Sequence, residues 1–433
     1  MRLERLRQMS LGELALRGRQ EASKWLDRVG PAPRPPRAAP AAPAPASLLA
    51  PEAGIAALVA ARWPETAAAL VAAADRVLAG RFDLLGYRDL SFGDPIDWHF
   101  EPVAGRRLPR VHWSRIDPLD AAQVGDSKVV WELGRMQWLV TLGQAYRLTG
   151  DARYAAGAAA AVRGFLQANP TGVGIHWSSS LECALRIISW SWAYSLFGAE
   201  ALGREVVDAM MGSIAVQARH VERYLSFAYS PNTHLTGEAL GLLYAGLLQP
   251  RLPRAARWRL QGLDILRTQY QRQVLEDGIY FEQAAAYQRY TADMGLHLLT
   301  LARAGGFQIP DEFSARLCRL LDALLWLRQP DGSLPPIGDA DGGWLLPLSP
   351  RDPADLRGTF GVAAALLGRP EYAWAAGGTV PEVAWLLGQR GVAASDGLAA
   401  APPADPPSRA FHEGGYVVMA SGWEPEAHQL VLD

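Results

Sequence analysis

Clusters of aromatic and polar residues punctuate this chain at regular intervals, and their spacing constrains the fold more than any other feature. Trp131-Glu132, His176-Trp177, Asn232–His234 and Phe281-Glu282 each open a helical segment, and Gly338-Asp339 follows in a loop. The steps from Trp131 to Trp177, His234, Phe281 and Gly338 are 46, 57, 47 and 57 residues, each about the length of two helices with their connections. From about residue 57 to 400 apolar residues recur every three and four positions, as in "SKVVWELGRMQWLVTLGQAYRLTGD", the period of a helix with one buried face. Asn169-Pro170, Asp277-Gly278 and Asp331-Gly332 read as helix stops. The sequence itself does not repeat, which excludes a short-period solenoid. Helical hairpins set in a ring would bring the start of every inner helix to one rim, so that the polar clusters converge on one cavity. A stack of hairpins with unrelated caps is the alternative.

This pattern divides the chain into an amphipathic helix at 1–30, a Pro/Ala-rich linker at 31–56, a helical domain at 57–400, and a linker with the first strands of a β-domain at 401–433. The linker contains "PAPRPPRAAPAAPAPA", which packs as neither helix nor strand and reads as an extended spacer. The segments "FHEGGYVVMASGW" and "HQLVLD" read as two strands around a turn. Two strands are not a stable unit, so further strands are expected.

Composition narrows the partners. With 49% hydrophobic and 20% charged residues the chain can bury a large core. A net charge of −2 lacks the basic excess that nucleic acid calls for, and disfavours a heavily sulfated ligand unless a local basic groove exists. Cys183 and Cys318 sit in apolar helical patterns and read as small core residues without disulfide or metal spacing. The 15 tryptophans serve equally as sugar-stacking platforms or as core. The N-terminus is charged and amphipathic, unlike a signal peptide, and no window is long and apolar enough for a membrane span. A cytoplasmic location is expected, with a periplasmic or secreted one as the alternative.

The stretch "SPNTHLTGE" places Asn232 and His234 at the lip of a very apolar helix. Asn offers an amide donor and His a donor or acceptor near neutral pH; a cap with a surface neighbour and the polar end of a cleft are both open readings. In "DGIYFEQAAAYQRY", Glu282 and Gln283 precede Tyr287 by about one turn, Arg289 follows, and three alanines leave room beside the Tyr287 ring. A nearby cation would favour the phenolate; a tyrosine packed in the core is the alternative. "WELGR" and "HWSSSLECALR" set Glu132 and Arg135 three apart and Glu182 and Arg186 four apart, the spacing of ion pairs on one helix face. "PPIGDADGG" holds Asp339 and Asp341 among glycines, either a turn or a contact for a cation or sugar hydroxyl, without the spacing of a calcium loop.

Six stretches in order, "FDLLGYRDLSFGDPIDWHFEP", "DSKVVWELGRMQWLVTLGQAYRLTGDARYA", "NPTGVGIHWSSSLECALRIISW", "PNTHLTGEALGL", "DGIYFEQAAAYQRY" and "PPIGDADGG", resemble the heparinase II/III family of polysaccharide lyases. The resemblance implies a mainly α fold, an incomplete (α/α) toroid of helical hairpins followed by an antiparallel β-sandwich. It implies β-elimination on an acidic, uronic-acid-containing polysaccharide, leaving a 4,5-unsaturated uronate and needing no metal or other cofactor. The family's catalytic Asn, His and Tyr fall on Asn232, His234 and Tyr287. Trp131, Arg135, Trp177, Arg186, Glu282, Gln283, Arg289 and Asp339 are expected to bind substrate. The family often has His directly after the Tyr, where this chain has Gln288, and a further functional His is expected in β-sandwich sequence beyond Asp433. Two readings stand beside the lyase: a glycoside hydrolase on a similar toroid, drawing on Glu132, Glu182, Glu238 and Glu282, and a non-catalytic protein that binds or assembles surface polysaccharide.

Overall fold

The computed structural model describes residues 9–31, 52, 54–340 and 343–433. Most of the Pro/Ala linker, the first eight residues and Asp341 lie outside the described residues. Helix α1 (Leu11–Val29) starts at Ser10, whose hydroxyl accepts from the Glu13 amide, and docks on the helical body. Gln20 donates to the Leu225 carbonyl at 3.0 Å, and Asp27 accepts from Arg223 and from the Tyr224 hydroxyl.

The body is two layers of helices. Apart from the short helices Ala121–Val124 and Pro370–Ala375, they are in chain order α2 (Ile55–Arg62), α3 (Pro64–Leu78), α4 (Ser127–Arg135), α5 (Trp138–Thr149), α6 (Ala152–Ala168), α7 (Ser180–Leu202), α8 (Arg204–Arg223), α9 (Thr233–Leu248), α10 (Ala255–Gln273), α11 (Ala285–Gly305), α12 (Asp311–Leu327), α13 (Arg357–Leu367) and α14 (Pro381–Asp396). The predicted stop at Asn169-Pro170 ends α6. Helices α10 and α12 end four residues before Asp277-Gly278 and Asp331-Gly332, which form the turns beyond them. At Gly278 (φ 93°) a Cβ would lie 2.1 Å from the Arg319 carbonyl oxygen, so this turn requires glycine.

A polar ladder fixes the direction of the inner layer. Trp192 of α7 donates to the Tyr244 hydroxyl of α9 at 3.1 Å, and that hydroxyl meets His297 Nδ1 of α11 at 2.8 Å. Each of the three lies about twelve residues into its helix, so the helices run parallel and in register. Burial pushes His297 down to about 3, which keeps it neutral and able to accept the bond. Helix α5 follows the same sense, with Met136 against Trp190 and Arg147 on the Leu196 carbonyl. Helix α13 does too, with Thr359 bonded to Asp293 and Arg303 to the Leu366 carbonyl. Helices α7 and α9 approach closely enough that a Cβ on Gly241 would lie 2.6 Å from that of Ala184. The connecting helices α6, α8, α10, α12 and α14 return outside this layer, completing a toroid of hairpins whose inner N-termini share one rim. Its first and last parts meet where Arg62 forks onto Asp396.

Two small antiparallel ladders, β1 (Phe82–Leu84) with β2 (Tyr87–Leu90) and β3 (Phe100–Glu101) with β4 (Arg106–Arg107), precede α4. The C-terminal segment forms three strands where two are predicted: β5 (Arg409–Phe411), β6 (Tyr416–Ala420) and β7 (Gln429–Leu432), an antiparallel meander. The additional strand arises because Gly415 (φ 81°) turns "FHEGGY" back on itself. Tyr416 and Val418 face the toroid, while Val417, Met419, Leu430 and Leu432 form an exposed apolar face. One face packed on the toroid and one apolar face outward is the pattern of a strand layer in a sandwich. Among the described residues no single helix is long and apolar enough to cross a membrane.

Candidate active site

The inner rim brings together six of the sequence-derived residues. Asn232 caps α9, its Oδ1 accepting from the His234 amide at 3.1 Å. Its Nδ2 donates to Glu282 Oε1 at 2.5 Å, and Glu282 Oε2 accepts from the Thr233 hydroxyl at 3.0 Å and the Thr233 amide at 3.3 Å. One carboxylate thus joins the lip of α9 to the turn that opens α11. Gln273 supports the lip from below, donating to the Pro231 carbonyl at 2.8 Å. His234 is exposed beside this cap.

Tyr287 is the third residue of α11, half-buried at the margin of the core. The loop that carries Asp339 lies against the same helix start. The Ala285 amide donates to the Ile337 carbonyl at 2.9 Å, and a Cβ on Gly338 (φ 70°) would lie 2.7 Å from Ala284 Cα. Asp339 follows, exposed on the rim. Gln283 takes a left-handed conformation (φ 51°), costly for a residue with a side chain. Sheet contacts hold it there: its amide donates to the Gly414 carbonyl at 3.1 Å, and the Tyr416 hydroxyl donates to its own carbonyl at 3.0 Å. Asn232, His234, Glu282, Gln283, Tyr287 and Asp339 therefore belong to one rim.

The other predicted contacts are engaged with partners inside the protein. Arg186 is fully buried, donating to Gln217 and to the Gly134 and His176 carbonyls. Arg135 is buried between Glu132 and Glu182, with two bonds to Glu182 at 2.6 and 2.9 Å. Glu182 pairs with Arg135 across two helices, in place of the same-helix pairing with Arg186 that their spacing predicts. Trp177 packs edge-on to His220 inside the core. Arg289 is buried, bonded to the Gly343 carbonyl and 4.6 Å over the Trp344 ring. Trp131 is half-buried, with its indole N–H on the Ile175 carbonyl. Local spacing could not reveal these burials, which depend on how the helices face one another.

The profile described as "Heparinase II/III N-terminus" matches residues 62–344, more than half of the chain and the whole stretch that builds this rim. The chain belongs to the heparinase II/III family. Its relatives include the heparin-sulfate lyase of Pedobacter heparinus, 26% identical over 277 residues (62% of this chain and 38% of that protein), and the heparin-sulfate lyase of Bacteroides stercoris, 24% identical over 280 residues (59% and 38%). The chain thus spans about 38% of the length of these relatives. The toroid is similar to the crystal structure of heparan sulfate lyase HepC from Pedobacter heparinus (TM-score 0.54, 23% identity, covering 84% of this chain and 51% of that one). It is also similar to that of heparinase III (TM-score 0.58, 18% identity, 96% and 57%). At these identities the structural likeness speaks to the fold.

In this heparinase II/III chain, Gln288 occupies the place after the tyrosine. It is buried, donates to the Leu320 carbonyl at 3.1 Å and accepts from the Tyr280 amide at 3.3 Å, a brace between the α11 start and its neighbours. Glu238, six residues after Asn232, is buried and accepts from the Ser226 amide at 2.8 Å and the Ser226 hydroxyl at 2.6 Å. Burial raises it to about 8 against the opposing pull of those bonds. It anchors the loop that leads into Asn232. Thr233, Gln273 and Ser226 were missed by sequence reasoning. A buried Gln at a helix end carries no sequence signal, whereas Thr233 beside the cap could have been suspected.

Proposed function

We propose that this rim is the helical half of a lyase site that cleaves a uronic-acid-containing polysaccharide by β-elimination. The observation that carries the reading is the Asn232–Glu282 bond, which unites the amide donor of one hairpin with the helix start bearing Tyr287 in the next. In the reaction the C5 proton leaves, its electron pair forms the C4=C5 bond, the C4–O bond breaks, and O4 takes a proton. The product is a 4,5-unsaturated uronate. The C5 proton is too weakly acidic unless the charge that develops on the adjacent carboxylate is met by preorganised donors. In this reading Asn232 and His234 neutralise that carboxylate. Parallel inner helices add the positive ends of their dipoles at the same rim. Tyr287 serves as base toward C5, as acid toward O4, or as both in turn.

A glycoside hydrolase would need two carboxylates facing each other across the cleft. Glu132 and Glu182 are engaged by Arg135, Glu238 by Ser226, and Glu282 by Asn232 and Thr233, which favours the lyase. The relatives are heparin-sulfate lyases by name; the substrate class proposed for this chain is a uronate polymer. The strands β5–β7, tied to Asp277 and Gln283, would begin a β-domain that walls the cleft.

The test is digestion of a panel of uronic-acid polymers with the purified protein, following ultraviolet absorbance of the unsaturated product. New reducing ends without that absorbance would make it a hydrolase. Binding without either would make it a binding or assembly protein.

A further inference from the structure

We propose that Glu282 is a positioning residue that aims the Asn232 amide at the substrate carboxylate, a role that rests on the lyase reading above. Both ends of the Asn232 amide are tied. Oδ1 is held by the His234 amide as a helix cap, and one Nδ2 hydrogen is held by Glu282 Oε1. A primary amide has two N–H groups, so the geometry leaves one hydrogen of defined direction to offer. Without Glu282 the cap bond alone would let the amide swing about Cβ–Cγ.

Glu282 is itself fixed by Thr233, whose amide and hydroxyl both bond to its second oxygen. The carboxylate is thereby directed into the protein, satisfied by three donors from the α9 lip, and is not the substrate contact predicted from sequence. Its position three residues before α11 makes it the coupling between two hairpins. Any shift of the turn that carries Tyr287 is transmitted to Asn232 through it. A misplacement of about 1 Å in such a donor costs on the order of 100-fold in rate.

The experiment combines Glu282→Ala, Glu282→Gln and Asn232→Ser, singly and as the Ala/Ser pair, with initial rates on a uronate polymer that the wild type cleaves. Thermal unfolding serves as the folding control. Glu282→Ala should lower kcat by about 100-fold with little change in KM. Glu282→Gln, which keeps an oxygen for Asn232, should recover much of that loss. In the Asn232→Ser background Glu282→Ala should have no further effect on rate, because the group it positions is gone. Wild-type rates in Glu282→Ala, or full additivity in the pair, would overturn the role of Glu282 while leaving the lyase reading in place. Loss of the lyase reading would appear differently, as wild-type protein making no unsaturated product from any polymer. In that case crystal structures decide: an Asn232 amide unmoved in Glu282→Ala overturns the positioning role, and a displaced one upholds it.

Discussion

Asn232 and Glu282 are fifty residues apart in the chain and 2.5 Å apart at the rim. Their bond fastens the capped start of α9 to the turn that opens α11, so two hairpins of the toroid present one polar edge. Asn232 has two structural duties: its oxygen caps the helix and its nitrogen binds the neighbouring hairpin.

These two duties separate experimentally. Asn232→Ser keeps an oxygen able to cap and removes the amide donor. Unfolding free energy should fall by less than about 2 kcal/mol, while turnover should fall by at least about 100-fold. Denaturant titration beside initial rates checks both; retention of turnover removes Asn232 from catalysis.

Tyr287→Phe deletes only a hydroxyl at the margin of the core. Turnover should fall by about 10²- to 10⁴-fold, with oligosaccharide affinity unchanged by calorimetry. Cleavage at the wild-type rate would take Tyr287 out of the mechanism.

Arg186→Met should act on stability. Three buried acceptors, Gln217 Oε1 and the Gly134 and His176 carbonyls, lose their donor. A cost of about 3 kcal/mol or more is expected in chemical denaturation, with KM of the folded fraction unaltered. A raised KM at unchanged stability would instead place Arg186 in the binding site.

Glu238 sets a pH dependence. Burial raises it to about 8, so the folded protein retains a proton that the unfolded chain releases near the ordinary carboxyl value. The unfolded state then binds fewer protons across this window, and stability falls as pH rises from about 4 toward 8. Glu238→Gln cannot ionise and should flatten the profile, gaining a few kcal/mol relative to wild type at pH 9 over pH 5. Parallel wild-type and variant profiles would show that Glu238 is not the group responsible.

Much of the fold was legible because its causes are local. Apolar residues every three and four positions produce the helices, and Asn169-Pro170 stops α6 where an imide follows a capping residue. The recurrence of polar clusters at about two-helix intervals anticipated the hairpin layers, but only the clusters from Asn232 onward lie at the rim, while Glu132, His176 and Trp177 are buried. Asn232 was recognisable as a cap from its place before an apolar run. The third C-terminal strand was not, because it is three residues long and exists only once β6 lies beside it to accept its bonds.

The sequence by itself determined that about residues 57–400 are mainly helical and that Asn232 and His234 stand at the lip of an apolar helix, because periodicity and capping act within a few residues. Only the tertiary structure decided that Glu282 turns inward to Asn232, that Arg135 takes Glu182 from Arg186, and that Arg186, Arg289 and Trp177 are sealed in the core. Those outcomes depend on which helix faces which. A long charged side chain reaches whichever partner is nearest in space, and the distance along the chain does not enter that choice.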